Sequence, residues 1–214
     1  MRSSPRAEQG VVAVAILAVG AAAFAGPHLA PWFARFFGPA EPALCIAALG
    51  IVALVLAPLL KRRGWWGAPL PETLRIVPML VAGFALIVVI VDQLAGFPPG
   101  MNAPLPWSLA FYPAMGFAAQ VGLHLLPLAA IVSWAPDFAR SRPWMTMMAA
   151  SVPEAALQVM GAEGDLSAFV AAHLLLFGMA ELFLLRRYGF VVMYSLRLGY
   201  YLCWHILWPA WLAG

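Results

Sequence analysis

The chain has 214 residues, of which 64% are hydrophobic and only 10% are charged, with a formal net charge of +3. A soluble domain carries about 25% charged residues, so this chain has too few polar side chains to cover a water-facing surface. The small basic excess gives no reason to expect a nucleic-acid partner, because Lys and Arg in a membrane protein usually report its orientation. The length fits about seven membrane spans of ~20 residues joined by short loops.

Seven apolar segments follow one another along the chain. They predict an all-α, polytopic transmembrane bundle that forms a single domain over residues 1–214. The first segment is expected to be a retained anchor, and the fourth to be tilted or kinked at Pro113 and Pro127. The predicted spans are 11–26, 43–60, 74–94, 106–134, 144–160, 166–185 and 190–212.

The distribution of Lys and Arg predicts the orientation of the bundle. With a cytoplasmic N-terminus, ten of the twelve basic residues fall on the inner side, whereas Arg35 lies outside and Arg197 lies within the seventh span. Positively charged loops are retained in the cytoplasm. We therefore predict a cytoplasmic N-terminus, an external C-terminus and insertion in a bacterial plasma (inner) membrane. The ten inner residues are Arg2, Arg6, Lys61, Arg62, Arg63, Arg75, Arg140, Arg142, Arg186 and Arg187.

Ionisable groups inside spans are costly, so each is a candidate for function. Glu154, His173 and His205 each lie about 10 Å below the outer boundary, counted at 1.5 Å per residue. We expect these three groups to share one polar pocket. Gln158, four residues after Glu154, is expected on the same helix face and in the same pocket.

Other polar groups lie at other depths. Glu181 and Arg197 fall nearer the inner side and are predicted to form an intramembrane ion pair. His124 is alone at its depth and is expected to make a packing hydrogen bond to a neighbouring helix. Gln120 is a further uncharged polar group in the fourth span.

Residues 151–210 resemble the CAAX protease and bacteriocin-processing (CPBP) family of intramembrane proteases. That family has a Glu-Glu-x-x-x-Arg motif, then Phe-x-x-x-His, then His-x-x-x-Asn, on successive helices. Phe169 and His173 match the second motif, and His205 stands where the third is expected. Glu154 occupies the first motif, with Pro153 at the place of its first glutamate and Gln158 at the place of its arginine.

The resemblance implies a scaffold in which Glu154 acts as a base toward water and His173 and His205 stabilise an oxyanion. With Pro153 at the place of the usual base, we expect a family-like scaffold without proteolysis, and a glutamate-dependent intramembrane peptidase is the active form of the same hypothesis. A second hypothesis is a non-catalytic accessory or assembly subunit that contacts lipid and other membrane chains. A third is haem, pigment or metal binding through His173 and His205. No dedicated metal site is predicted.

Overall fold

All regular structure in the described part of the chain is helical. We analysed a computed structural model, which describes residues 5–97, 100–160 and 166–213. The charge of Arg2, counted above, lies outside the described residues, and so does the side chain of Arg6. The helices are α1 Pro5–Phe37, α2 Pro42–Arg62, α3 Thr73–Ala95, α4 Ser108–Ala119, α5 Leu126–Trp134, α6 Pro136–Ser141, α7 Pro143–Met160, α8 Ser167–Tyr188, α9 Phe190–Tyr201 and α10 Trp208–Ala213.

Each of the seven expected spans is helical, and six are long and apolar enough to cross a membrane. The six are Glu8–Phe37, Pro42–Arg62, Thr73–Ala95, Ser108–Trp134, Ser167–Tyr188 and Phe190–Leu212. The remaining one is α7, which has 18 residues and carries Thr146, Ser151, Glu154 and Gln158. These polar groups lower its hydropathy, and the helix packs closely against α8 inside the bundle.

The first helix is longer than predicted. The predicted first span ends near Gly26, but α1 continues through Pro27 and Pro31 to Phe37. The bend is at Leu29, where φ is −124° and ψ is 27°. A proline inside a helix lacks one N–H donor and crowds the preceding turn, which bends the helix and in this case does not end it.

Each of two long helical segments is interrupted by one π-helical turn. Residues Gln120–Leu125 join α4 to α5, and residues Leu202–Leu207 join α9 to α10. In both cases a proline follows two residues after the turn, Pro127 in the first and Pro209 in the second. Since proline cannot donate a backbone hydrogen bond, the turn before it can widen at little cost. The kink expected in the fourth span therefore takes the form of a π turn.

Basic side chains gather at one end of the bundle, which we call the basic end. Arg186 lies there with its Cζ atom 4.8 Å from the ring centroid of Trp65. The N–H of Gly67 donates to the carbonyl of Leu185 over 2.9 Å, so the loop after α2 and the last turn of α8 meet at this end. The observed gathering matches the predicted partition of charge, and the side of the membrane that this end faces stays a prediction. A cleft at the same end is lined by Leu59, Arg62, Arg63 and Arg140.

Candidate functional site

Arg197 is the centre of a buried ionic cluster. Its Nη1 and Nη2 atoms donate to Oε1 and Oε2 of Glu154 over 2.6 and 2.8 Å. Its Nε and Nη2 atoms donate to Oε1 and Oε2 of Glu181 over 2.8 and 2.6 Å. All three side chains are at most 4% exposed. The guanidinium thus holds α7 and α8 to α9 through paired charge-assisted hydrogen bonds.

The predicted pair of Glu181 and Arg197 is present, and Glu154 is its unpredicted third member. A guanidinium has five N–H donors in a fixed fork, so one arginine can serve two carboxylates. Arg197 also donates to the hydroxyl of Tyr201 over 3.1 Å. That tyrosine follows one turn later on α9, so the sequence spacing could have indicated the contact.

Gln120 joins the cluster from the first π turn. Its Nε2 atom donates to Oε1 of Glu181 over 3.0 Å and to the carbonyl of Met193 over 3.1 Å. The side chain is fully buried. The first bond holds Oε1 of Glu181, which also accepts from Nε of Arg197, and the second ties the first π turn to α9.

His124, from the same π turn, also faces the cluster. Its Nε2 atom lies 3.4 Å from Oε2 of Glu154 and 3.7 Å from Oε2 of Glu181. The residue is fully buried, and neither ring nitrogen has a hydrogen-bond partner among the described residues. The prediction of a packing hydrogen bond for His124 is therefore wrong. Depth along the span gave no sign of the π turn, which changes the direction in which the ring points.

Gly178 makes the approach of His124 possible. A Cβ atom at this position would lie 2.6 Å from Nε2 of His124 and 2.8 Å from Oγ of Ser151. Real Cβ atoms do not come so close, so only glycine fits here. Gly178 lies one turn before Glu181 on α8, and both residues therefore face the same side.

The two histidines of the predicted pocket lie elsewhere. His173 is 7% exposed, and its Nε2 atom lies 3.2 Å from the hydroxyl of Tyr200. Its ring also stacks on Phe169 with a centroid distance of 5.6 Å, as the spacing of four residues allows. His205 lies in the second π turn, and its Nδ1 atom is 2.6 Å from Oδ1 of Asn102.

Tyr200 and Tyr201 are the link between these histidines and the ionic cluster. The ring of His205 lies 6.3 Å from that of Tyr200 and 5.2 Å from that of Tyr201. Tyr201 in turn accepts the hydrogen bond from Arg197. The structure thus places Glu154 in one polar group and His173 and His205 in another, with two tyrosines between them.

Helix direction explains why Glu154 is separated from the histidines. A side chain leans toward the N-terminus of its own helix. Because α7 begins at the basic end, Glu154 leans toward that end and meets Arg197. Because α8 runs toward the basic end, His173 leans away from it. The backbones of Glu154 and His173 lie at one predicted depth, but their side chains point toward opposite ends of the bundle.

Gln158 is exposed on α7, whereas Glu154 on the same helix is buried. The expectation that they share one pocket is therefore not met. Gln158 lies in the last turn of α7, which ends at Met160, one turn farther along the helix than Glu154.

The cluster carries an uneven set of charges. Two carboxylates face one guanidinium, and a further positive charge is needed for balance in the interior, where an unpaired charge is costly. The oxygens and the imidazole of His124, Glu154 and Glu181 lie within 4.8 Å of one another, which is close enough to hold one metal ion. From the sequence, metal binding was considered only at His173 and His205, and the cluster of His124, Glu154 and Glu181 was not predicted.

Comparison with known proteins adds no further information on the site. No family model, curated protein or solved structure matches this chain.

Proposed function

We propose that this integral membrane protein has a scaffold similar to the CPBP intramembrane proteases, does not hydrolyse peptide bonds, and serves as an accessory subunit for other membrane chains. The observation that carries the proposal is the double contact of Glu154 with Arg197. Glu154 is the residue that the resemblance assigns as base. Both of its oxygens accept charge-assisted bonds from Arg197, so its negative charge is already engaged in a structural ion pair.

The positions of the histidines also support a non-catalytic role. A group that stabilises an oxyanion has to lie about 2.7–3.1 Å from the developing charge. His173 and His205 instead contact Tyr200 and Asn102, and no described hydrogen bond joins either ring to Glu154. A base and an oxyanion-stabilising group have to act at one reaction centre, the base on the attacking water and the other group on the carbonyl oxygen, which this arrangement does not support.

Incubation of the purified protein with membrane peptides tests the catalytic part. The wild type and the Glu154→Gln variant are reconstituted in lipid and supplied with a library of transmembrane peptides, and products are read by mass spectrometry. We expect no cleavage by either protein. Cleavage by the wild type that disappears in Glu154→Gln would contradict the proposal, because shape is retained and only the base is lost.

The outward face of α7 supports the accessory role. Trp144 is 59% exposed, and Met145, Met148 and Met160 are exposed nearby. Methionine adapts its shape to different neighbours and is common on binding surfaces. The exposed amide of Gln158 lies on the same helix, and an amide is costly against lipid tails. A partner helix would cover both the aromatic and methionine side chains and the amide.

Photo-crosslinking tests for that partner. A photoreactive amino acid replaces Met148 on α7 or, as the control, Met79 on α3, which is 73% exposed. We expect a protein adduct of one defined mass from position 148 and lipid adducts alone from position 79. Lipid adducts alone at position 148, in membranes of the source cells, would contradict the accessory role.

Haem or pigment ligation by His173 and His205 stays an alternative prediction. Both rings already have partners in the protein, Tyr200 and Asn102, which a bound cofactor would have to displace. The absorption spectrum of the purified protein is the direct measurement, since haem and chlorophyll absorb strongly in the visible region.

A further inference from the structure

The unpartnered imidazole of His124 indicates that a ligand belongs in the ionic cluster. Buried polar groups in proteins are almost always hydrogen-bonded, and an exception needs an explanation. Both ring nitrogens of His124 are buried without a partner among the described residues. The distances of 3.4 and 3.7 Å from Nε2 to the two carboxylates exceed the usual N–H···O range of about 2.7–3.2 Å.

We propose that Nε2 of His124 and one carboxylate oxygen each of Glu154 and Glu181 bind a divalent metal ion of the Zn²⁺ type. Zinc binds imidazole nitrogen and carboxylate oxygen at about 2.0–2.2 Å with tetrahedral angles, so two of its ligand atoms lie roughly 3.3–3.6 Å apart. The observed separation of 3.4 Å falls within this spacing, and that of 3.7 Å lies just above it. They suit two ligands of one ion better than they suit a direct hydrogen bond.

The carboxylates can bind an ion and Arg197 at the same time. A carboxylate oxygen has two lone pairs, and Oε2 of each glutamate accepts one bond from Nη2 of Arg197. Carboxylate ligands of metals are commonly held in place by such outer hydrogen bonds. Arg197 and Gln120 are therefore positioning residues for the glutamates.

The position of the His124 ring depends on Gly178. A methyl group at this position would fall 2.6 Å from Nε2, so a larger residue would displace the imidazole from the two carboxylates. An ion held there would join the first π turn to α7 and α8. The proposal concerns binding and stability, does not require hydrolysis, and does not depend on the proposed accessory role.

Metal content and thermal stability test the site. The wild type is purified in detergent, with an affinity tag that lacks histidine, from cells grown with added zinc. We expect close to one zinc ion per chain by mass spectrometry, a lower melting temperature after treatment with EDTA, and recovery on addition of ZnCl₂. Zinc content should fall at least tenfold in both His124→Gln and Gly178→Ala.

Matched controls separate the site from general damage. His28→Gln removes a histidine that stacks on Trp107 outside the cluster. Gly122→Ala adds a methyl group in the same π turn, where nothing lies within 4 Å. Both controls should retain zinc. A wild type that holds no zinc and whose melting temperature ignores EDTA and ZnCl₂ would overturn the proposal, even if His124→Gln does not fold. Unchanged zinc in a folded His124→Gln would also overturn it.

Discussion

Arg197 contacts two carboxylates, so the three charged side chains of the cluster do not contribute equally. Removing one glutamate leaves a balanced pair of opposite charges. In the metal-free protein, removing the arginine leaves two buried carboxylates that repel each other and have lost their counter-charge. In a simple ion pair of Glu181 and Arg197, as predicted from the sequence, the loss of either residue would leave one charge unpaired. The third member, Glu154, changes the expected order of the variants.

Stability measurements on the EDTA-treated protein in detergent, where no metal ion contributes, test this order. Arg197→Gln should lower the free energy of unfolding by about 3–5 kcal/mol, since it leaves buried carboxylates without a partner of opposite charge. Glu154→Gln should lose less, about 1.5–3 kcal/mol, because it removes a hydrogen bond to a charged group and leaves Arg197 paired with Glu181. Melting temperatures of the two variants, compared with the wild type, give the order. A Glu154→Gln variant that melts at or below Arg197→Gln would show that the cluster is not organised around the arginine.

The helices α4–α5 and α9–α10 illustrate what a proline does inside a span. In each, the wide π turn before the proline carries a histidine, His124 in one and His205 in the other. A π turn shifts the side chains after it relative to an α-helical count. The helical character of these segments was predictable from hydropathy, but the direction of each histidine was not.

Helix α3 approaches α9 very closely at one glycine. It packs mainly on α9 and on the turn that follows α9, and only 17% of its most apolar window is buried. A Cβ atom at Gly199 of α9 would lie 2.6 Å from Cγ2 of Val81 on α3. A valine in a helix has essentially one rotamer and cannot turn away.

Gly199→Ala should therefore weaken the attachment of α3. We expect a loss of about 1–3 kcal/mol, the usual cost of an extra methyl group in a packed interface. The control is Gly83→Ala on α3, where nothing lies within 4 Å. Alanine favours the helix over glycine by roughly 0.5–1 kcal/mol, so the control should melt at or above the wild type. Equal melting temperatures for the two variants would mean that α3 adjusts its position freely.

The whole bundle has one basic end, and its orientation in the membrane follows from the positive-inside rule. The cleft lined by Arg62, Arg63 and Arg140 belongs to that end. Arg35 lies at the last turn of α1, where neighbouring rings of α1 pack on Phe111 near the start of α4. This separation of basic side chains predicts that the basic end faces the cytoplasm.

Cysteine labelling of intact cells tests the orientation. In a chain without Cys45 and Cys203, Leu105→Cys is placed in the loop before α4, where Leu105 is 51% exposed. An impermeant maleimide should label it from outside. Arg140→Cys at the basic end should react only after the membrane is opened. Labelling of Arg140→Cys alone in intact cells would reverse the topology.

The sequence by itself determined the class of the protein, the approximate positions of its apolar spans and the gathering of its charges, because hydropathy and charge act on each segment separately. It also gave the pair of Glu181 and Arg197, since α8 and α9 are joined by a tight turn at Gly189 and must be neighbours. Only the tertiary structure decided that Glu154 and His124 meet this pair, and that His173 and His205 do not. Depth counting gives the position of a residue along its helix. Contact between two side chains also depends on the rotation of each helix, on the direction of each side chain and on the two π turns. Packing against the other helices determines all three.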